Sequence, residues 1–150
     1  MKKIITIIFI IFLSFTLTSC SHIEDTNGED DYSLQTITEE EIVGNSYSSI
    51  KVGKFTTQNG RTIKQSVKKF SGIENIQSFK TTKGFISFTV SITVSSGNFM
   101  VVLVQEGKII HKFLNNQENQ KFTVPENTGK VSVIVAGESA NYNLKLEYSN

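Results

Sequence analysis

Cys20 is the only cysteine in the 150-residue chain, and it follows directly on an apolar run. One thiol makes neither an intrachain disulfide nor a thiolate zinc site. What remains to it is the chemistry of a sulfur nucleophile that can be alkylated. Other reactive groups are few. His111 is the only histidine between residues 42 and 150, and it has no cysteine with which to share a metal. That stretch contains no Asp, and its acids (Glu74, Glu106, Glu118, Glu126, Glu138 and Glu147) lie singly, mostly in turns. Paired carboxylates, a calcium loop, a nucleophile elbow and a phosphate-binding glycine loop are all missing from the pattern. Neither an enzyme nor a cofactor or metal site is expected. His111 alternates with Ile109 and Phe113, which predicts a half-buried polar position on a strand.

The cations are more informative. Residues 42–150 hold 13 basic and 6 acidic side chains. The excess sits almost wholly in residues 51–83, where Lys51, Lys54, Arg61, Lys64, Lys68, Lys69, Lys80 and Lys83 face only Glu74. Clustered cations on a sheet attract an anionic polymer, a lipid surface or a charged peptide. Lysines also guard edge strands against aggregation, and both readings stay open.

Three segments must position these groups. Lys2 and Lys3 precede the apolar run Ile4 to Phe15, and small residues lead to Cys20, which is the layout of an export signal. The run is shorter than the roughly 20 residues of a membrane-spanning helix. Residues 21–46 carry eight acidic and no basic side chains. One sign of charge and low hydrophobicity predict a disordered, flexible spacer averaging about 30 Å. The alternative is an electrostatic strap folded back on the basic domain. "TEEEIVG" predicts at most a short helical turn capped by Thr38.

From Tyr47 onward the hydrophobic period becomes two. In "FISFTVSITV", Ile86, Phe88, Val90, Ile92 and Val94 share one face and Ser87, Thr89, Ser91 and Thr93 the other. "NFMVVLVQ" is apolar on both faces and reads as a central strand. "IIHKFL", "KFTVP", "KVSVIVAG" and "NYNLKLEYS" follow, with Val131, Val133, Val135, Tyr142, Leu144, Leu146 and Tyr148 inward. Asn59-Gly60 predicts a tight hairpin between "SSIKVGKFTT" and "TIKQSVKKFS". Ile63, Val67 and Phe70 would also fit one face of a short helix, but the strand is preferred. With "ENIQSFKT" the tally is about eight or nine short strands separated by turn signals, an all-β antiparallel sandwich of jelly-roll type.

Leu17-Thr18-Ser19-Cys20 resembles the lipobox of bacterial lipoproteins, with Leu at −3, small residues at −2 and −1, and the cysteine. The resemblance implies that Cys20 becomes a diacylglyceryl thioether and, after cleavage, the lipidated first residue. Residues 1–19 would then be the signal peptide, 20–46 the lipidated cysteine and acidic tether, and 47–150 the sandwich. It places the protein at the extracytoplasmic face of a bacterial cell membrane, anchored to the bilayer through Cys20, where nucleic acid is not an expected partner. Two acyl chains anchor stably where one is marginal. A plain secretory leader with an incidental cysteine leaves an unpaired thiol in an oxidising compartment. Gly97, Phe99, Leu103, Gly129, Val131, Val133, Val135, Gly137, Tyr142, Leu144 and Leu146 resemble the two-hairpin pattern of bacterial prepeptidase C-terminal and carbohydrate-binding-type sandwich domains. The aromatic usual near Gly129 and the acidic calcium positions are missing, so this resemblance implies the fold and no site. The functional expectation is a non-catalytic binding module that engages an anionic envelope polymer or a protein through the Lys-rich region. The alternatives are a protective, immunity-type lipoprotein that sequesters a peptide or toxin, and a structural accessory subunit of an envelope complex.

Overall fold

A computed structural model describes residues 34–44, 46–80, 84–124 and 129–149. The expected signal peptide, Cys20 and Lys83 lie outside the described residues. A five-residue helix, α1 (Glu39–Val43), precedes six strands: β1 (Ser49–Asn59), β2 (Thr62–Lys80), β3 (Ile86–Gln105), β4 (Lys108–Phe113), β5 (Gln117–Val124) and β6 (Lys130–Ser149). They form one antiparallel sheet in the order β1-β2-β6-β3-β4, with β5 also pairing with β3.

The strand count differs from the expected eight or nine because three of the expected strand boundaries are bends. "SSG", "ESA" and the "SG" of β2 do not reverse the chain; each lies inside a strand of 19 or 20 residues. An extra residue in a paired strand is absorbed as a bulge, which bends the strand and shifts its alternation by one. Lys69 and Ser139 have φ of 51° and 53°, and Gly72 and Gly97 of 109° and 74°. The β2–β6 register slips between Val67 and Gly72, and the β3–β6 register between Val94 and Asn98. Buried positions on β3 accordingly switch from Ile86, Phe88, Val90 and Ile92 to Phe99, Val101 and Leu103. On β2 the same shift explains the helix-like spacing of Ile63, Val67 and Phe70. Gln65 completes the inward row, its Oε1 accepting from the Tyr142 hydroxyl at 3.0 Å.

The bends fold the sheet back on itself. Phe79 lies past the bend of β2, yet its ring meets Phe88 at 5.3 Å and Tyr148 at 4.5 Å, both on the other half of the sheet. His111 of β4 stacks on Phe122 of β5 at 4.1 Å. Phe70, Phe99 and Tyr142, one from each long strand, meet inside the bend, with Phe99 and Tyr142 stacked at 4.0 Å. One core therefore draws on both halves. The predicted inward residues Val131, Val133, Val135, Tyr142, Leu144 and Leu146 are buried in it, and Tyr148 packs against it.

The two outer faces differ. On one half, Ser87, Thr89, Ser91 and Thr93 line up with Asn143 and Lys145, and the outward residues of these two strands are polar. On the other, Ile73, Val102, Val104, Ile134 and Ala136 are apolar and buried. Their cover is Ile42 of α1, with Leu34, Ile37, Val43 and Tyr47 beside it. This corrects the spacer expected over residues 20–46: its described part, 34–44, is a packed strap. Thr38 caps α1 with a reciprocal capping box to Glu41. The hairpin after β1 forms, but its two loop residues are Gly60 and Arg61, with Asn59 paired to Thr62. Four of the six residues of "NNQENQ" (115–120) are strand, since β5 begins at Gln117.

A Cβ on Gly97 would sit 2.5 Å from the Ser139 carbonyl oxygen, backbone against backbone. Gly97→Ala is expected to cost about 2–3 kcal/mol. Gly107→Ala, at φ 72° with open space around it, should cost only about 1–2 kcal/mol of backbone strain. Urea melts of the two variants check the bend; equal losses would mean that the strands are not in close approach there.

Candidate functional site

The structure scatters the predicted cations. Lys51 and Lys54 of β1 both bind Glu74, at 2.6 and 2.7 Å, and Lys51 also lies 5.9 Å over the Phe70 ring. Partial burial pushes the Glu74 carboxyl up, but the hydrogen bonds and charges of the two lysines outweigh it and hold it below the usual range. Arg61 sits in the β1–β2 hairpin, where its carbonyl accepts the Tyr148 N–H at 3.1 Å. Lys69 occupies the β2 bulge and its N–H donates to Asn141 Oδ1 at 2.8 Å. Lys80 ends β2 opposite Lys130, across the bend from Lys64. Lys64 and Lys68 remain exposed on β2.

Register adds what the sequence left out. Lys145 of β6 stands directly opposite Lys64. Lys121 of β5 stands opposite Thr89 on the same outer face. Both fall in the part of the sequence whose charge balances, so only strand pairing reveals them. Around Lys64 the open half presents two shallow hollows of about 340 and 450 Å³ that share Thr57, Lys64 and Lys145. Lys145 pairs with Glu147 at 2.9 Å, whereas Lys64 and Lys121 have no carboxylate within ion-pair distance among the described residues. A third hollow, of about 280 Å³, lies at the bend of β3 beside Asn115. Asn115 donates to the Phe99 carbonyl at 2.6 Å.

The strap is clasped by one carboxylate. Glu138 Oε1 accepts from the Thr36 N–H at 2.6 Å and its hydroxyl at 2.8 Å, and Oε2 from the Gln35 N–H and Asn98 Nδ2, both at 3.0 Å. Lys112 adds an ion pair to Glu39. Partial desolvation raises the Glu138 carboxyl, but these donors outweigh it and bring it down to about 2. His111 is shifted down by burial, so its neutral form is favoured. It is half-buried on β4 between Phe113 and Phe122, the expected position for a packed polar residue.

Among the described residues, no cluster of three or more His, Cys, Asp or Glu is placed to hold a metal ion. No described helix is long and apolar enough to cross a membrane. No protein-family model matches the chain, and no curated protein matches it in sequence.

The lowered Glu138 carboxyl stabilises the docked strap fully above its ordinary value of 4.5, and the contribution is lost as pH falls toward 2. His111 acts in the same direction from higher pH: it resists protonation when folded, so stability declines below 6.5. Glu138→Gln turns an acceptor into a donor facing N–H groups, and should cost about 1–2 kcal/mol at neutral pH. Urea melts at pH 7 and pH 3 check this. The variant should show the smaller loss on acidification, and equal acid losses in both proteins would remove Glu138 as the clasp.

Proposed function

We propose that this protein is a membrane-anchored, non-catalytic binding module, held to the bilayer by lipidated Cys20 at the extracytoplasmic face of a bacterial cell. In this reading the folded-over sheet is a β-sandwich whose two layers are halves of the same long strands. The observation that carries the reading is the asymmetry of its outer faces. One is covered by the strap, and the other is bare, polar and set with lysines. An uncovered face with spare cations suits an envelope component carrying negative charge. The strap occupies the covered half, which leaves the bare half free to meet a ligand.

A second reading, capture of a peptide or toxin, is favoured by the β1 edge. Ile50, Val52 and Phe55 there are 75, 59 and 67% exposed. An edge strand can pair with an extended peptide. Against it, the β1–β2 register shifts on both sides of Val52 and lysines flank the edge, devices that blunt strand addition.

Two measurements test the first reading. Cys20→Ser should move the protein from the membrane fraction to the soluble fraction, and retention in the membrane would remove the anchor. The same soluble chain should bind isolated cell envelopes at low salt and weakly at high salt, because exposed charges are screened beyond about 10 Å at 0.1 M. Lys64→Glu with Lys68→Glu should abolish that binding. Absence of binding at either salt would turn the function toward the β1 edge and a peptide partner.

A further inference from the structure

Strand register sorts the bare face into three rows that cross the sheet. Asn59, Thr62, Glu147, Thr89 and Lys121 make the first. Thr57, Lys64, Lys145 and Ser91 make the second. Phe55, Ser66, Asn143 and Thr93 make the third. Rows lie about 7 Å apart and strands about 5 Å, so the grid covers roughly 14 by 19 Å. Every position except Phe55 offers a hydroxyl, amide, ammonium or carboxylate. Phe55 is 67% exposed at one corner. Only Lys64 and Lys121 carry charge with no ion pair among the described residues.

We infer that this grid is a carbohydrate-binding face for an oligosaccharide bearing widely spaced carboxylates. This rests on the binding-module reading above and names the ligand of that same face. A sugar chain presents hydroxyls that both donate and accept, and eight of the grid's positions, its Ser, Thr and Asn side chains, do the same. The Phe55 ring gives the apolar platform on which a sugar face packs. Charge excludes the competitors. A dense polyanion would meet Glu147 within the grid and Glu118 at its hollow, both repulsive. A neutral glycan would leave two desolvated ammonium groups unpaired. A peptide would find one apolar contact and no unpaired backbone on the face.

The test uses the full Cys20→Ser chain and three probes: polygalacturonate oligomers, dextran oligomers and poly-L-glutamate. Calorimetric titration should find polygalacturonate at least about tenfold tighter than either of the others. Lys64→Ala with Lys121→Ala should bring uronate affinity down to the dextran level. Phe55→Ala should weaken both sugars and leave the melting temperature unchanged. Four results would overturn the inference: poly-L-glutamate as tight as the uronate, dextran as tight as the uronate, no saturable sugar binding by the folded chain, or a dimer dissociated by Ser66→Arg, which would assign the face to a second copy. Envelope binding that persists without uronate binding would sink this inference alone. Loss of both would sink the binding-module reading with it.

Discussion

A β-strand shows its side chains alternately to two faces, so one extra residue exchanges inside for outside. Three adjacent long strands make that exchange at the same level, and the rest of the molecule follows from it. Because β2, β6 and β3 slip together, the sheet folds over instead of tearing, and the same strands supply both walls of one core. Phe70, Phe99 and Tyr142 fill the inside of the fold. Gly97 and Gly72 let backbones approach there to distances no side chain would allow.

Folding a sheet over leaves two outer faces, and the chain treats them differently. Val102, Val104 and Ile134 make one outer face as apolar as the core, and a sheet buried on both sides needs a third layer. Residues 34–44 and Tyr47 supply it. Ile42 provides the apolar cover and Glu138 gathers the strap's free backbone donors, which no strand or long helix satisfies. The acidic character of this segment therefore accompanies an apolar docking function. The other outer face needs no cover because its alternation puts Ser, Thr, Asn and Lys outward, and its exposure follows from composition.

Much of this was legible in the sequence. Period-two alternation marked Ile86 to Ile92 and Tyr142 to Leu146 as half-buried, and the two-sided run Val101 to Val104 as central. Both hold because alternation reports local burial, whichever partner provides it. The misreadings of strand boundaries share one cause. "SSG" and "ESA" have turn composition, but a small flexible residue permits a reversal and a bulge equally, and the pairing of neighbouring strands selects the bulge. Residues 34–44 looked like a spacer because their apolar residues, Leu34, Ile37, Ile42 and Val43, lie within a longer stretch, 21–46, that carries eight acidic and no basic side chains.

The sequence by itself determined the β class, the alternating faces and the clustering of cations in residues 51–83, since each is a property of residue type and spacing. It determined equally that Cys20 stands behind an apolar run. Tertiary structure decided which cations are neighbours. Glu74 draws Lys51 and Lys54 into ion pairs, while Lys145 and Lys121 join Lys64 from positions 81 and 57 residues along the chain. The reason is that cross-strand pairing places side chains about 5 Å apart whatever their separation in sequence, so a charge count along the chain cannot draw the face on which the charges meet.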